Sequence, residues 1–164
     1  MELNQRIKYF VKLGDFLRDY SKGKRESEYS NKLDEVVVND HIYNPWFTEN
    51  NVKQAISAIA ESLQSSKLET WINQYPREQF QSSVKNIGVI TAGNIPLVGF
   101  HDFITILLSG NRFLGKLSTK DNRLLKFIAD YLIAENNDFN ELIEFTEDKL
   151  QGFEAVIAPG SNNT

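Results

Sequence analysis

The chain has 164 residues, 41% hydrophobic and 24% charged, with a net charge of −4, which fits a domain with a real core and lacks the basic footprint of a general nucleic-acid binder. It contains no cysteine, which excludes disulfides, thiolate metal sites and a cysteine nucleophile within these residues. No apolar run is long enough to span a bilayer, and Met1-Glu2-Leu3-Asn4-Gln5 lacks the basic-then-apolar layout of a signal peptide, so a cytoplasmic location is expected.

Leu3, Ile7, Phe10, Gly14 and Leu17 recur at helical spacing. This predicts a helix over residues 3–20 that ends near Ser21-Lys22-Gly23. The polar stretch 24–32 shows no periodicity and is expected to be an exposed, mobile loop. Val36-Val37-Val38 is a β-branched run and predicts a short strand. In Asn44-Pro45-Trp46-Phe47-Thr48 the proline disfavours helix at Asn44, and Thr48 fits an N-cap. Val52, Ile56, Ile59, Ala60 and Leu63 then mark one face of a second helix. Ser66-Lys67-Leu68-Glu69 matches a capping box, so a further helix is expected to reach about Tyr75, before Pro76. Trp46, Phe47 and Trp71 are expected to be core anchors.

The pattern changes after Ser83. Strands are expected over residues 87–91, 112–117, 142–145 and 155–158. Between the first two lies an apolar helix over 97–108, ended by Gly110-Asn111. Between the second and third lies an amphipathic helix with Leu124, Leu125, Ile128 and Leu132 on one face and Asp121 near its start. Strand and helix in alternation predict an α/β fold, a partial parallel-sheet, Rossmann-like cofactor domain over residues 81–164. Residues 1–80 read as a mainly helical lead-in. The chain stops one step after a strand where a helix is expected, so it reads as part of a longer protein.

Ligands of open α/β sheets bind outside the carboxyl ends of the strands, and three loops here have that position. In Ala92-Gly93-Asn94-Ile95-Pro96, Gly93 permits a tight path, Asn94 offers an amide suited to an oxyanion, and Pro96 fits the first turn of the next helix. The alternative is a turn in which Asn94 satisfies backbone groups. Lys116 ends the second strand, where its ammonium reaches a phosphate or ribose, with Ser118 or Thr119 adding a hydroxyl. A solvated lysine beside a helix cap is the competing reading. Lys120 near a ribose would favour NADP over NAD, though it is equally read as facing solvent. Gly160 and Ser161 present backbone N–H groups to a phosphate, or form a surface turn. No Gly-x-Gly-x-x-Gly or Walker loop is present. His101 reads as a packing or hydrogen-bonded residue.

The run Gly88-Val89-Ile90-Thr91-Ala92-Gly93-Asn94-Ile95-Pro96-Leu97-Val98-Gly99-Phe100-His101-Asp102 resembles the acyl-CoA reductase family that includes the bioluminescence fatty-acid reductase. So do Leu108-Ser109-Gly110-Asn111, Gly115-Lys116-Leu117-Ser118-Thr119-Lys120-Asp121 and the end from Phe153 to Thr164. Asn44-Pro45-Trp46-Phe47-Thr48 is similar to the family's lead-in. The family is itself similar to aldehyde dehydrogenases. The resemblance implies a three-layer cofactor domain that binds NADP, or NAD, without the usual glycine fingerprint. It also implies a second domain whose cysteine forms an acyl-thioester, reduced by hydride to a fatty aldehyde. Asn94 matches the oxyanion-hole asparagine, Lys116 the ribose-contacting lysine with Ser118 beside it, and Gly160 and Ser161 the start of the pyrophosphate loop. Pro159 stands where threonine is more usual. With no cysteine here, this chain alone is expected to be inactive on the family's fatty acyl-CoA substrate. Homo-oligomerisation such as dimerisation, partial disorder or crystal packing is expected to cover the exposed sheet edge and apolar face. Two other readings compete: a non-catalytic nucleotide- or partner-binding module, and an interaction protein built on the helices of residues 3–75.

Overall fold

The computed structural model describes residues 1–81 and 83–158. Four helices come first: α1 (Leu3–Ser21), α2 (Glu28–Tyr43), α3 (Glu49–Ser62) and α4 (Ser65–Ile72). The second half runs β1 (Asn86–Ile90), α5 (Phe100–Leu108), β2 (Arg112–Lys116), α6 (Leu124–Glu135), β3 (Ile143–Thr146) and β4 (Ala155–Ile157). Short 3-10 turns occupy Arg77–Gln81 and Asn137–Glu141.

The expected α/β class is what the chain adopts. All the strand pairings in the four-stranded sheet are parallel, and the strand order is β3-β2-β1-β4. Val89, Phe113 and Ile143 face the helices and are buried. Phe113 meets Phe103 of α5 edge-on, with ring centroids 5.0 Å apart. α1 buries Phe10, Leu13 and Leu17 completely or nearly so. It lies close to α3, where a side chain on Gly14 would come within 2.6 Å of Leu63 Cβ. Phe16 of α1 stacks on Tyr131 of α6 at 4.6 Å. One hydrophobic core therefore runs from the N-terminal helices into the sheet. On the sheet's other face, Gly88 packs against the Phe153 ring and Leu114 is buried, while Ile90 stays 45% exposed. Among the described residues that face carries no helix, so the third layer implied by the resemblance is not contained in them.

Several local expectations are corrected. Residues 28–43 are helix, not loop followed by strand. Ser27 caps the helix, its hydroxyl accepting from Ser30 N–H at 3.1 Å. Ser30, Leu33, Val37 and Asp40 form its buried face, a helical spacing that overrides the β preference of the valines. Val38 is 49% exposed. α4 starts at Ser65 and ends at Ile72, short of Tyr75. Its first turn shows no side-chain cap; Ser65 Oγ donates instead to Glu69 Oε1 at 2.7 Å. Trp46 is 69% exposed and anchors nothing, whereas Phe47 is fully buried.

Other expectations match the structure. α2 stops before Pro45, with Asn44 extended at φ −142°. Thr48 caps α3, its hydroxyl accepting from Asn51 N–H. Gly110 takes φ +87° after α5, a conformation open to glycine.

Candidate functional site

Register aligns the carboxyl ends of the four strands at one edge: Ile90 lies beside Lys116, Lys116 beside Thr146, and Val89 beside Ile157. The chain steps from β1 to β2 to β3 in one direction, and β4 returns to the other side of β1. That reversal makes the carboxyl end of β1 a topological switch point, the place where open α/β sheets bind ligands.

The β1 loop and the β2 loop lie against each other. Thr91 N–H donates to Lys116 O at 3.1 Å, and Ser118 N–H donates to Thr91 Oγ1 at 3.1 Å. A side chain on Gly93 would come within 2.8 Å of Ser118 Cβ, so glycine is required for this approach. Asn94 stands exposed at the tip of the β1 loop. Lys116 is half-buried at the end of β2 and makes no ion pair among the described residues. Ser118 is half-buried two residues on, its hydroxyl accepting from Lys120 N–H at 3.3 Å. The structure thus brings Asn94, Lys116 and Ser118 to one edge. Gly160 and Ser161 lie outside the described residues; β4, the strand that leads to them, ends at Ile157. Lys120 is exposed.

One expectation in these loops is corrected. Pro96 does not open α5, which begins only at Phe100. Between them Leu97 adopts φ +60°, which breaks the helical path. Asp121 lies just before α6, near its start as expected. It is 6% exposed, and its Oδ2 accepts from Leu97 N–H across the loops at 3.1 Å. Burial, with Asp40 adding negative charge nearby, pushes its carboxyl up to about 7, and the Leu97 N–H opposes this. Asp40 of α2 is also raised by burial, although Arg123 Nε lies 3.8 Å from its Oδ1.

Sequence reasoning passed over Asn44, which is 5% exposed. Its side-chain amide donates to Gly93 O at 2.9 Å and to Lys120 O at 3.4 Å. Among the described residues it is the Asn44 side chain that satisfies backbone groups here. The Asn-Pro step is the available signal, and the sequence reading takes it as disfavouring helix at Asn44 and as part of the family's lead-in, not as a loop clasp.

An apolar groove of about 530 Å³ opens beside the β1 loop. Its walls include Ile59, Leu68, Trp71, Leu97, Phe100 and Ile104. His101 stands exposed on the same wall, its ring centroid 5.7 Å from that of Trp71. No helix among the described residues is long and apolar enough to cross a membrane, and none of these residues form a metal-binding cluster.

A family model described as acyl-CoA reductase (LuxC) matches residues 3–152 of the 164. The match takes in α1 to α4 as well as the loops just described. No curated protein matches the chain. With nearly its whole length covered by that one model, the chain belongs to the acyl-CoA reductase (LuxC) family.

Proposed function

We propose that this chain forms the nucleotide-facing part of an NADP-dependent, or NAD-dependent, reductase that converts a fatty acyl-CoA thioester to the aldehyde. The observation that carries the reading is the side-by-side placement of the Asn94 loop and the Lys116–Ser118 segment at the switch point of the sheet. The donors fit a nucleotide. A half-buried lysine with no ion pair among the described residues suits ribose hydroxyls or a phosphate, and Ser118 lies two residues on. Gly160 and Ser161 would add backbone N–H groups to the pyrophosphate. The bound nucleotide supplies a hydride.

The residues of this chain then have distinct tasks. The Asn94 amide donates to the acyl carbonyl oxygen as negative charge grows there, and a preset donor of this kind lowers the barrier by about 3–4 kcal/mol. Lys116 and Ser118 fix the adenosine end, which sets the reach of the other end. The groove along Leu97 and Phe100 excludes water and takes an apolar chain; its volume is within the range of small-molecule sites. The acyl-cysteine intermediate needs a thiol from outside these 164 residues, which hold no cysteine. That same lack of cysteine favours a second reading, a non-catalytic nucleotide-binding module.

Fluorescence titration with NADPH and NADH tests the nucleotide side. Binding should weaken at least tenfold in Lys116→Ala, and equal binding by wild type and variant overturns the assignment. Trp71 emission in a Trp46→Phe background tests the groove. A long-chain acyl-CoA should shift it while free CoA should not. The catalytic reading gains over the module only if both ligands bind together.

A further inference from the structure

Asn94 and Ser118 sit on loops beside Lys116 at the end of β2, and loops hold a geometry only when something fixes them. The β1 and β2 loops are tied by polar contacts from three buried side chains, Asn44, Thr91 and Asp121, and Asn44 comes from the end of α2.

Asn44 ends α2 and is 5% exposed. All its polar groups are used. Its backbone N–H donates to Asp40 O at 3.0 Å, and its backbone oxygen accepts from Phe47 N–H at 2.8 Å. Its Oδ1 accepts from Trp46 N–H at 3.1 Å, while its Nδ2 reaches Gly93 O and Lys120 O. One amide therefore binds the residue before Asn94 and the residue two after Ser118. Asp121 closes the other side by accepting from Leu97 N–H. Leu97 has φ +60°, a region that leucine visits only when surroundings impose it. The buried hydrogen bond and the packing of Leu97, 5% exposed, supply that constraint.

We infer that Asn44 is a positioning residue for this site, clasping the β1 and β2 loops so that Asn94 stands at a fixed distance from Lys116 and Ser118, with Asp121 as the second half of the clasp. The inference rests on the proposed reading for what the loops contact, though not for the clasp itself. Without the Asn44 amide the Gly93 and Lys120 carbonyl oxygens lose their donor, so the loops would shift to let water reach them.

Amide hydrogen exchange and NADPH titration test it together. In the wild type, Leu97 and Ser118 N–H should exchange at least tenfold more slowly than Asn94 and Ile95 N–H. Asn44→Ala and Asn44→Asp, the latter keeping the shape but losing both donors, should speed exchange at Leu97 and Ser118 at least tenfold and leave β1 and β2 protected. NADPH binding should weaken at least tenfold in both. Asp121→Ala should behave likewise, while Asp121→Asn, which keeps an acceptor, should retain binding. Ile56→Val, a core change away from the loops, controls for simple destabilisation and should bind as wild type. Unchanged loop exchange, or NADPH affinity within twofold in folded Asn44 variants, overturns the inference. Should wild type bind no NADPH, the nucleotide reading falls and the exchange measurements alone decide the clasp. Should the Asn44 variants not fold, fast wild-type exchange at Leu97 and Ser118 overturns it and slow exchange supports it.

Discussion

The helix-covered face of the sheet and the edge where its strands end are held by different physics. Phe10, Phe103, Phe113 and Phe139 are fully buried in the first region, and dozens of small contacts share the work. The second region depends on few groups: Asn44, Thr91 and Asp121 are its buried polar side chains, Asn44 with three partners and the other two with one each. Burial without direction makes a stable slab, whereas directed hydrogen bonds make a defined geometry. Losses in the slab should therefore lower global stability, and losses at the edge should open loops first.

The largest effect is expected from Phe113→Ala. Its ring is fully buried between Phe103 and Phe145, so truncation should cost about 3–5 kcal/mol. Denaturant unfolding measures this, and amides throughout the core should lose protection together. A loss confined to the strand-end loops would erase the contrast between the regions.

Next comes the pH dependence of the edge. The Asp121 carboxyl is raised from 3.8 to about 7 in the folded state. Between these values the folded protein holds a proton that the unfolded chain has released, so stability falls as pH rises from about 4 to about 7 and then levels. Asp40 faces it from α2 and is raised in the same direction, and Arg123 lies 3.8 Å from Asp40. Asp121→Asn removes the buried charge and keeps an acceptor for Leu97 N–H. Its advantage over wild type should grow between pH 5 and pH 8, by an amount on the order of 1–3 kcal/mol. Thermal melts from pH 5 to 8 check this, and parallel curves for the two proteins would remove the buried charge from the account.

The two regions also differ in how far the sequence exposed them. β1, β2 and the helices α5 and α6 were legible because apolar runs stand between glycine and polar breaks, as at Gly110-Asn111. The residues following β1 and β2 could be placed at one edge from strand order alone. α2 was misread because three adjacent valines outweigh, to the eye, a buried face spread over Ser30, Leu33, Val37 and Asp40. The clasp was not legible at all. Asn44 binds a carbonyl 49 residues away and Asp121 an amide 24 residues away. Both partners are backbone groups, so no pairing of side-chain types marks either contact. Asp121 was placed beside α6 by proximity in sequence, and the left-handed turn at Leu97, which takes its hydrogen bond instead, has no glycine to announce it.

Thr91→Val separates shape from direction at the edge. Thr91 is 8% exposed, and valine matches its size but leaves Ser118 N–H without its acceptor. A buried unpaired donor costs about 1–3 kcal/mol. The loss should appear as faster exchange at Ser118 and weaker NADPH binding, with core amides little changed. Uniform loss of protection would make Thr91 a core residue in effect.

The smallest effect belongs to charges outside both regions. Lys53 pairs with Glu49 on α3 at 2.5 Å, one helical turn apart, with both side chains about half exposed. Water screens such a pair, and ordering two long side chains offsets most of the attraction. Lys53→Ala should change stability by less than about 0.5 kcal/mol, with the small loss shrinking further in 1 M salt. A loss comparable to that of Thr91→Val would mean that directed contacts matter as much on the outer helices as at the strand ends, and the clasp would then be one polar contact among many.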